Sequence, residues 1–181
     1  MDIEKTSIWT NINLEDLLEN PKIEEKRNVL FENFSNGDVF SITKDLAVII
    51  DKLKSPDIIC ATEVKLAGFS RSTRIPLVCK HKEDVIVFKL VKDTNSIDKA
   101  LVQLQRITDL IEEHLIVSEV YMAVVYLGDN IKEDSLNYLG TLIKKDKVCI
   151  TTLGYFINKI RSARSIDFLT NTGTIYDSNN K

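Results

Sequence analysis

Apolar positions recur along this chain at two different periods, and the changes between them mark the expected elements. Leu14, Leu17, Leu18 and Ile23, then Val29, Leu30 and Phe34, fall at helical spacing and predict helices through the first forty residues. Asn13 is a suitable N-cap with Asp16 three residues on, Pro21 ends or kinks the first helix, and Asn36-Gly37-Asp38 makes a turn. Thr43 is placed to cap a helix carrying Leu46, Ile49, Ile50 and Leu53, which Ser55-Pro56-Asp57 stops.

The pattern then shortens. Ile58–Leu66 reads as a strand. Ile75–Cys79 and Val85–Val91 are apolar runs joined by a charged five-residue turn, a hairpin signal. Beyond the N-capping string Asp93-Thr94-Asn95-Ser96, Ile97, Ala100, Leu101, Leu104, Ile107 and Ile111 line one helical face. Val120–Leu127 is apolar throughout, as a strand covered on both faces must be. A helix over 135–143, a short strand over 148–151 and a helix over 153–160 follow, and the end from about Thr170 is polar. Strands separated by helices predict an α/β domain with a mixed sheet flanked by helices. The expected divisions are an acidic helical extension (1–40), the α/β core (41–169) and a frayed polar tail (170–181).

Composition narrows the classes. The 181 residues suffice for one domain whose core needs no metal or disulfide. Gly (6) and Pro (3) are too scarce for a collagen-like or many-turned all-β design. The longest apolar run is far shorter than a membrane span, and Met-Asp-Ile-Glu-Lys lacks the form of a secretory signal, so a cytoplasmic protein without membrane contact is expected. Cys60, Cys79 and Cys149 form no Cys-x-x-Cys and are expected as three buried thiols. With only His81 and His114 beside them, no structural zinc site is expected.

Charge is segregated despite a net value of -3. The first forty residues carry nine carboxylates against four cations, and 109–134 carry seven against one. Residues 71–92 and 144–167 are each net +4. Arg71, Arg74, Lys80, Lys82, Lys92, Lys159, Arg161 and Arg164 therefore make a candidate phosphate-tracking set, set against the plain alternative of a solvated surface. Ser70-Arg71-Ser72-Thr73-Arg74, with hydroxyls beside arginines, suits phosphate oxygens. Thirteen aromatic residues are few for a base-stacking platform.

The stretch from Arg74 to Arg106 carries a resemblance. Two apolar strands, the second ending Lys89-Leu90-Val91-Lys92, are followed by a helix containing Val102-Gln103-Leu104-Gln105-Arg106. This resembles the core of the PD-(D/E)xK nuclease superfamily, the restriction-endonuclease-like fold of RecB-type and Holliday-junction-resolving nucleases. In that family an Asp on one strand and an acidic-x-Lys on the next hold Mg²⁺, the Lys activates water, and a helical Gln follows. Residues two apart on a strand share a face, so such a string delivers both groups to one site.

Lys92 and Gln103 match that pattern, whereas the two acidic positions fall on Pro76 and Leu90, which cannot ligate a metal. The resemblance spans about Ile58 to Thr151 and implies a nuclease-like fold without the metal site. It implies a catalytically inactive nucleic-acid-binding or interaction subunit in DNA processing, with DNA or a protein as partner and a homodimer as its form. Two alternatives remain at this point. One is an active Mg²⁺-dependent endonuclease with displaced carboxylates, using Glu63, Asp93, Lys92 and Gln103. The other is a protein-binding scaffold that never touches nucleic acid.

Overall fold

The computed structural model describes residues 5–10, 12–18, 27–31, 39–66, 73–131, 147–170 and 173–177. The chain divides into two compact units, Met1–Glu83 and Asp84–Lys181. The α/β class is as expected.

In the first unit the strands lie in the order β2-β1-β3-β4. β1 (Lys5–Thr10) pairs antiparallel with β2 (Arg27–Phe31) and parallel with β3 (Ile58–Leu66). β3 pairs antiparallel with β4 (Thr73–His81). The expected helical extension is therefore corrected: before residue 39 the described residues hold two strands and one five-residue helix, α1 (Leu14–Leu18). Thr6, Ile8 and Thr10 are β-branched and favour a pleated backbone, and Trp9 between them is 1% exposed. The apolar pair Val29-Leu30 fits either period and is settled by pairing with β1. Pro21, Ile23, Phe34 and the turn at 36–38 lie outside the described residues.

α2 (Val39–Asp51) begins a turn earlier than its expected cap. Thr43 sits inside the helix, where its hydroxyl donates to the Val39 carbonyl at 2.7 Å rather than capping the amino end. Leu46 through Ile50 are all buried, so nearly the whole girth of the helix is covered. The expected thiol state is also corrected. Cys60 and Cys79 are cross-strand partners in the β3–β4 ladder and are joined by a disulfide, leaving Cys149 as the free cysteine. Both bonded residues are buried.

The second unit is a parallel array in the order β5-β6-β7-β8. Its strands are β5 (Asp84–Val91), β6 (Val120–Tyr126), β7 (Val148–Thr152) and β8 (Thr174–Tyr176). Parallel neighbours need long crossovers. α3 (Ile97–His114) supplies the one from β5 to β6, and α4 (Leu153–Ala163) the one from β7 to β8. The expected apolar face of α3 is buried at Ile97, Ala100, Leu104, Ile107 and Ile111. β7 is buried at all five positions, and β6 at Val120 and Met122–Val125, as cover on both faces requires. The helix expected over 135–143 lies outside the described residues.

The expectation of a frayed tail is corrected as well. Ile175 and Tyr176 give the polar end enough apolar character to pair with β7, and Tyr176 stacks on Tyr155 with ring centroids 4.7 Å apart. Phe168 meets both tyrosines edge-on, and Phe156 links it to Phe88. Asp177, one residue past the strand, is buried. Burial pushes the Cys149 thiol up to about 12. The Tyr155 phenol is also raised, by desolvation first and then by Tyr176 and Cys149.

Candidate functional site

The first unit contains a break in an otherwise regular ladder. On β3 and β4, Thr62 faces Leu77 and Val64 faces Ile75, which sets Glu63 opposite Pro76. That rung carries no recorded pairing, and Pro76 has no N–H to donate. Glu63 is in the left-handed region at φ 50°, a conformation that costs a non-glycine residue about 1–3 kcal/mol. Two departures from strand geometry thus coincide on one rung.

A cavity of about 330 Å³ opens at this rung. β3 contributes Thr62 and Glu63, and β4 contributes Arg74 and Pro76. α2 contributes Val39 and Thr43, which lie four apart and hence on one helix face, together with Lys44. Adjacent residues of a regular strand point to opposite faces. Thr62 and Glu63 border the same cavity, and the left-handed turn at Glu63 is the local irregularity that accompanies this. The lining surface is almost wholly apolar, so Lys44, Arg74 and Glu63 border it chiefly through the carbon portions of their side chains, beside Val39 and Pro76. Arg74 is exposed and so stands at the rim, while Lys44 and Glu63 are half-buried.

Thr62 is the least ordinary wall residue. It is 1% exposed, and its hydroxyl has no hydrogen-bond partner. A buried hydroxyl left in that state costs about 1–3 kcal/mol, so such groups are normally satisfied.

The residues expected for a displaced metal site are divided between the two units. Glu63 belongs to the first; Lys92, Asp93 and Gln103 belong to the second, where all three are exposed. Asp93 starts the short 3-10 turn Thr94–Ser96, its carbonyl accepting from the Ser96 N–H at 3.0 Å. Leu90 is buried at 4% exposed, next to the last residue of β5. Among the described residues no group of three His, Cys, Asp or Glu is placed to hold a metal ion.

The basic set is divided too. Arg74, Lys80 and Lys82 lie in the first unit, and Lys92, Lys159, Arg161 and Arg164 in the second. Arg71 lies outside the described residues. Arg74 and Lys80 share one face of β4, about 20 Å apart at strand rise. Lys80 donates its Nζ to the Leu18 carbonyl at 3.1 Å, which ties α1 to β4. Lys82 is exposed, in the left-handed region at φ 58°. Lys159, Arg161 and Arg164 crowd the carboxyl end of α4, where cations complement the helix dipole; Arg164 is its left-handed C-cap.

No family model, curated protein or solved structure matches this chain. No described helix is long and apolar enough to cross a membrane.

The cavity was missed in the sequence, although one signal for it was present. A proline inside the apolar run Ile75-Pro76-Leu77 cannot donate to a ladder, and such a residue marks an irregular rung. Glu63 and Thr62 gave no comparable signal, because a left-handed residue within a strand leaves no mark on the hydropathy pattern.

Proposed function

We propose that the protein is a catalytically inactive relative of the restriction-endonuclease-like nucleases that binds nucleic acid as a subunit of a DNA-processing assembly. The observation that carries this reading is the succession α2-β3-β4-β5-α3-β6, in which a helical crossover returns β6 parallel to β5. The resemblance requires that order, with the acidic positions on β4 and β5 taken here by Pro76 and Leu90. The exposed cations Arg74 and Lys82 in one unit, and Lys92, Arg161 and Arg164 in the other, are the phosphate contacts of this proposal. A homodimer belongs to the same proposal, since a two-fold pair would present two such sets to one duplex. A cytoplasmic setting belongs to it too, although the buried Cys60–Cys79 bond weighs against a strongly reducing compartment.

The test is binding of a fluorescein-labelled 20-base-pair DNA duplex, followed by anisotropy across a salt series. The logarithm of affinity should fall linearly with the logarithm of salt, by about 0.9 per phosphate contacted. Replacing Arg74 and Lys82 with alanine should flatten that slope by up to about two contacts' worth. Mg²⁺ or Mn²⁺ should produce no cleavage of the same duplex. Metal-dependent cleavage would overturn the inactive reading, and an absence of duplex binding at low salt would overturn the nucleic-acid reading.

A further inference from the structure

The cavity of the first unit withholds polar partners from anything that enters it. Lys44, Glu63 and Arg74 border it chiefly through their carbon stems, beside Val39 and Pro76, and Lys44 and Arg74 already take part in interactions of their own. The two threonines offer little more. The Thr43 hydroxyl donates to the Val39 carbonyl at 2.7 Å, and the Thr62 hydroxyl is buried beneath the wall, out of an occupant's reach. A charged or strongly polar occupant would lose its hydration and gain no partner in exchange. Water fares no better, since a buried water is held by about 2–4 polar partners.

We propose that this cavity binds a neutral, apolar small molecule of about two fused rings. An apolar cavity of about 150 Å³ already holds a benzene ring. The volume of about 330 Å³ here has room for a body of roughly twice that size, and it falls in the range of about 300–1,000 Å³ typical of small-ligand sites. Such a ligand gains the transfer of its apolar surface out of water. It also gains dispersion contacts to Val39, Pro76 and the stems of the charged side chains. A fatty acid would bring a carboxylate that the wall does not receive. A sugar would bring hydroxyls that find no partners.

The walls are held in place before any ligand arrives. Val39 and Thr43 share one face of α2, and the Pro76 ring fixes its own φ. The pairs Thr62↔Leu77 and Val64↔Ile75 flank the level of Glu63 and Pro76, and the Cys60–Cys79 bond closes the same ladder three residues along. A preformed cavity binds without the cost of ordering its walls. The left-handed backbone of Glu63, at φ 50°, is part of that wall, and strain of this kind is found at ligand clamps. The proposal stands on the cavity and does not require the duplex-binding reading.

The experiment is titration of the isotope-labelled full chain with toluene, indane and naphthalene, followed by amide NMR shifts. Amides of α2 and of 62–64 and 74–77 should move, and naphthalene should bind more tightly than about 1 mM. Naphthoate, which carries a carboxylate on the same rings, should bind at least tenfold more weakly. Naphthalene affinity should not fall with salt, whereas each phosphate contact on a duplex gives a salt slope of about -0.9, so the two readings fail separately. Val39→Phe places a ring in the cavity and should weaken naphthalene at least tenfold while the circular dichroism spectrum stays that of the parent. Thr43→Leu, one turn along the same helix face, is a second filling variant with the same expected loss. The proposal is overturned when no neutral probe binds more tightly than about 1 mM, or when naphthoate binds as tightly as naphthalene. It is equally overturned when naphthalene affinity falls with salt, when the shifts lie in the second unit instead, or when a filling variant that keeps the parent's spectrum binds naphthalene as the parent does.

Discussion

Reducing the Cys60–Cys79 bond should destabilise the first unit by about 3 kcal/mol. The two cysteines are 19 residues apart, and closing a loop of that length removes about 3 kcal/mol of unfolded-chain entropy at 25 °C. Domain stabilities run to only about 5–15 kcal/mol, so the loss lowers the folded-to-unfolded ratio by about a hundredfold. Urea unfolding of the oxidised and dithiothreitol-reduced protein measures it. Trp9 is the single tryptophan and is buried in the unit that holds the bond, so its fluorescence reports the right transition. With a urea slope of about 2 kcal/mol/M, the midpoint should fall by about 1.5 M on reduction. A thiol titration accompanies it. Native oxidised protein should give almost no reactive thiol, because Cys149 is buried with its pKa pushed up to about 12. The same protein in denaturant should give one thiol, and reduced protein three. Three thiols in denaturant without reductant, or a midpoint shift below about 0.5 M, would refute the reasoning.

Two further perturbations follow from single residues. Cys149 keeps its proton in the fold up to about pH 12 but loses it in the unfolded chain above about 9.0. Its contribution is therefore intact below pH 9 and is lost as pH rises toward 12, by about 1.4 kcal/mol per pH unit in the second unit. Urea midpoints of parent and Cys149→Ala between pH 8 and 10.5, followed by tyrosine circular dichroism, should converge as pH rises; parallel curves would count against a buried neutral thiol. Glu63→Gly should stabilise the first unit by up to about 1 kcal/mol, because glycine relieves the left-handed backbone at φ 50°, whereas Lys65→Gly on the same strand should cost about 1 kcal/mol. Equal losses from the two glycines would contradict the assigned geometry.

The elements that the sequence made legible are those with a long, one-sided or continuous apolar pattern. β3, the buried face of α3, β6 and the start of α4 lie where the periodicity put them. The misreadings share a cause. At Val29-Leu30 two apolar residues fit either period, and only pairing with β1 decides between them. At Ile175-Tyr176 a three-residue strand is too short to register against polar neighbours and owes its order to β7 and Tyr155. The Cys60–Cys79 bond depends on cross-strand register, which residue spacing in the chain does not reveal. Of the residues singled out for chemistry, Glu63 and Arg74 come together at the cavity. Their shared site rests on backbone geometry at Glu63 and Pro76 rather than on any acidic-x-Lys string.

The placing of those two residues opposite each other has its own logic. A proline in one strand and a left-handed residue in another would each interrupt pairing, and at separate levels they would weaken two rungs. On a single rung the loss is confined, and the flanking pairs Thr62↔Leu77 and Val64↔Ile75 keep their register. The disulfide at Cys60↔Cys79, three residues along both strands, then fixes that register covalently against the one-residue slip that would turn Thr62 out of the wall.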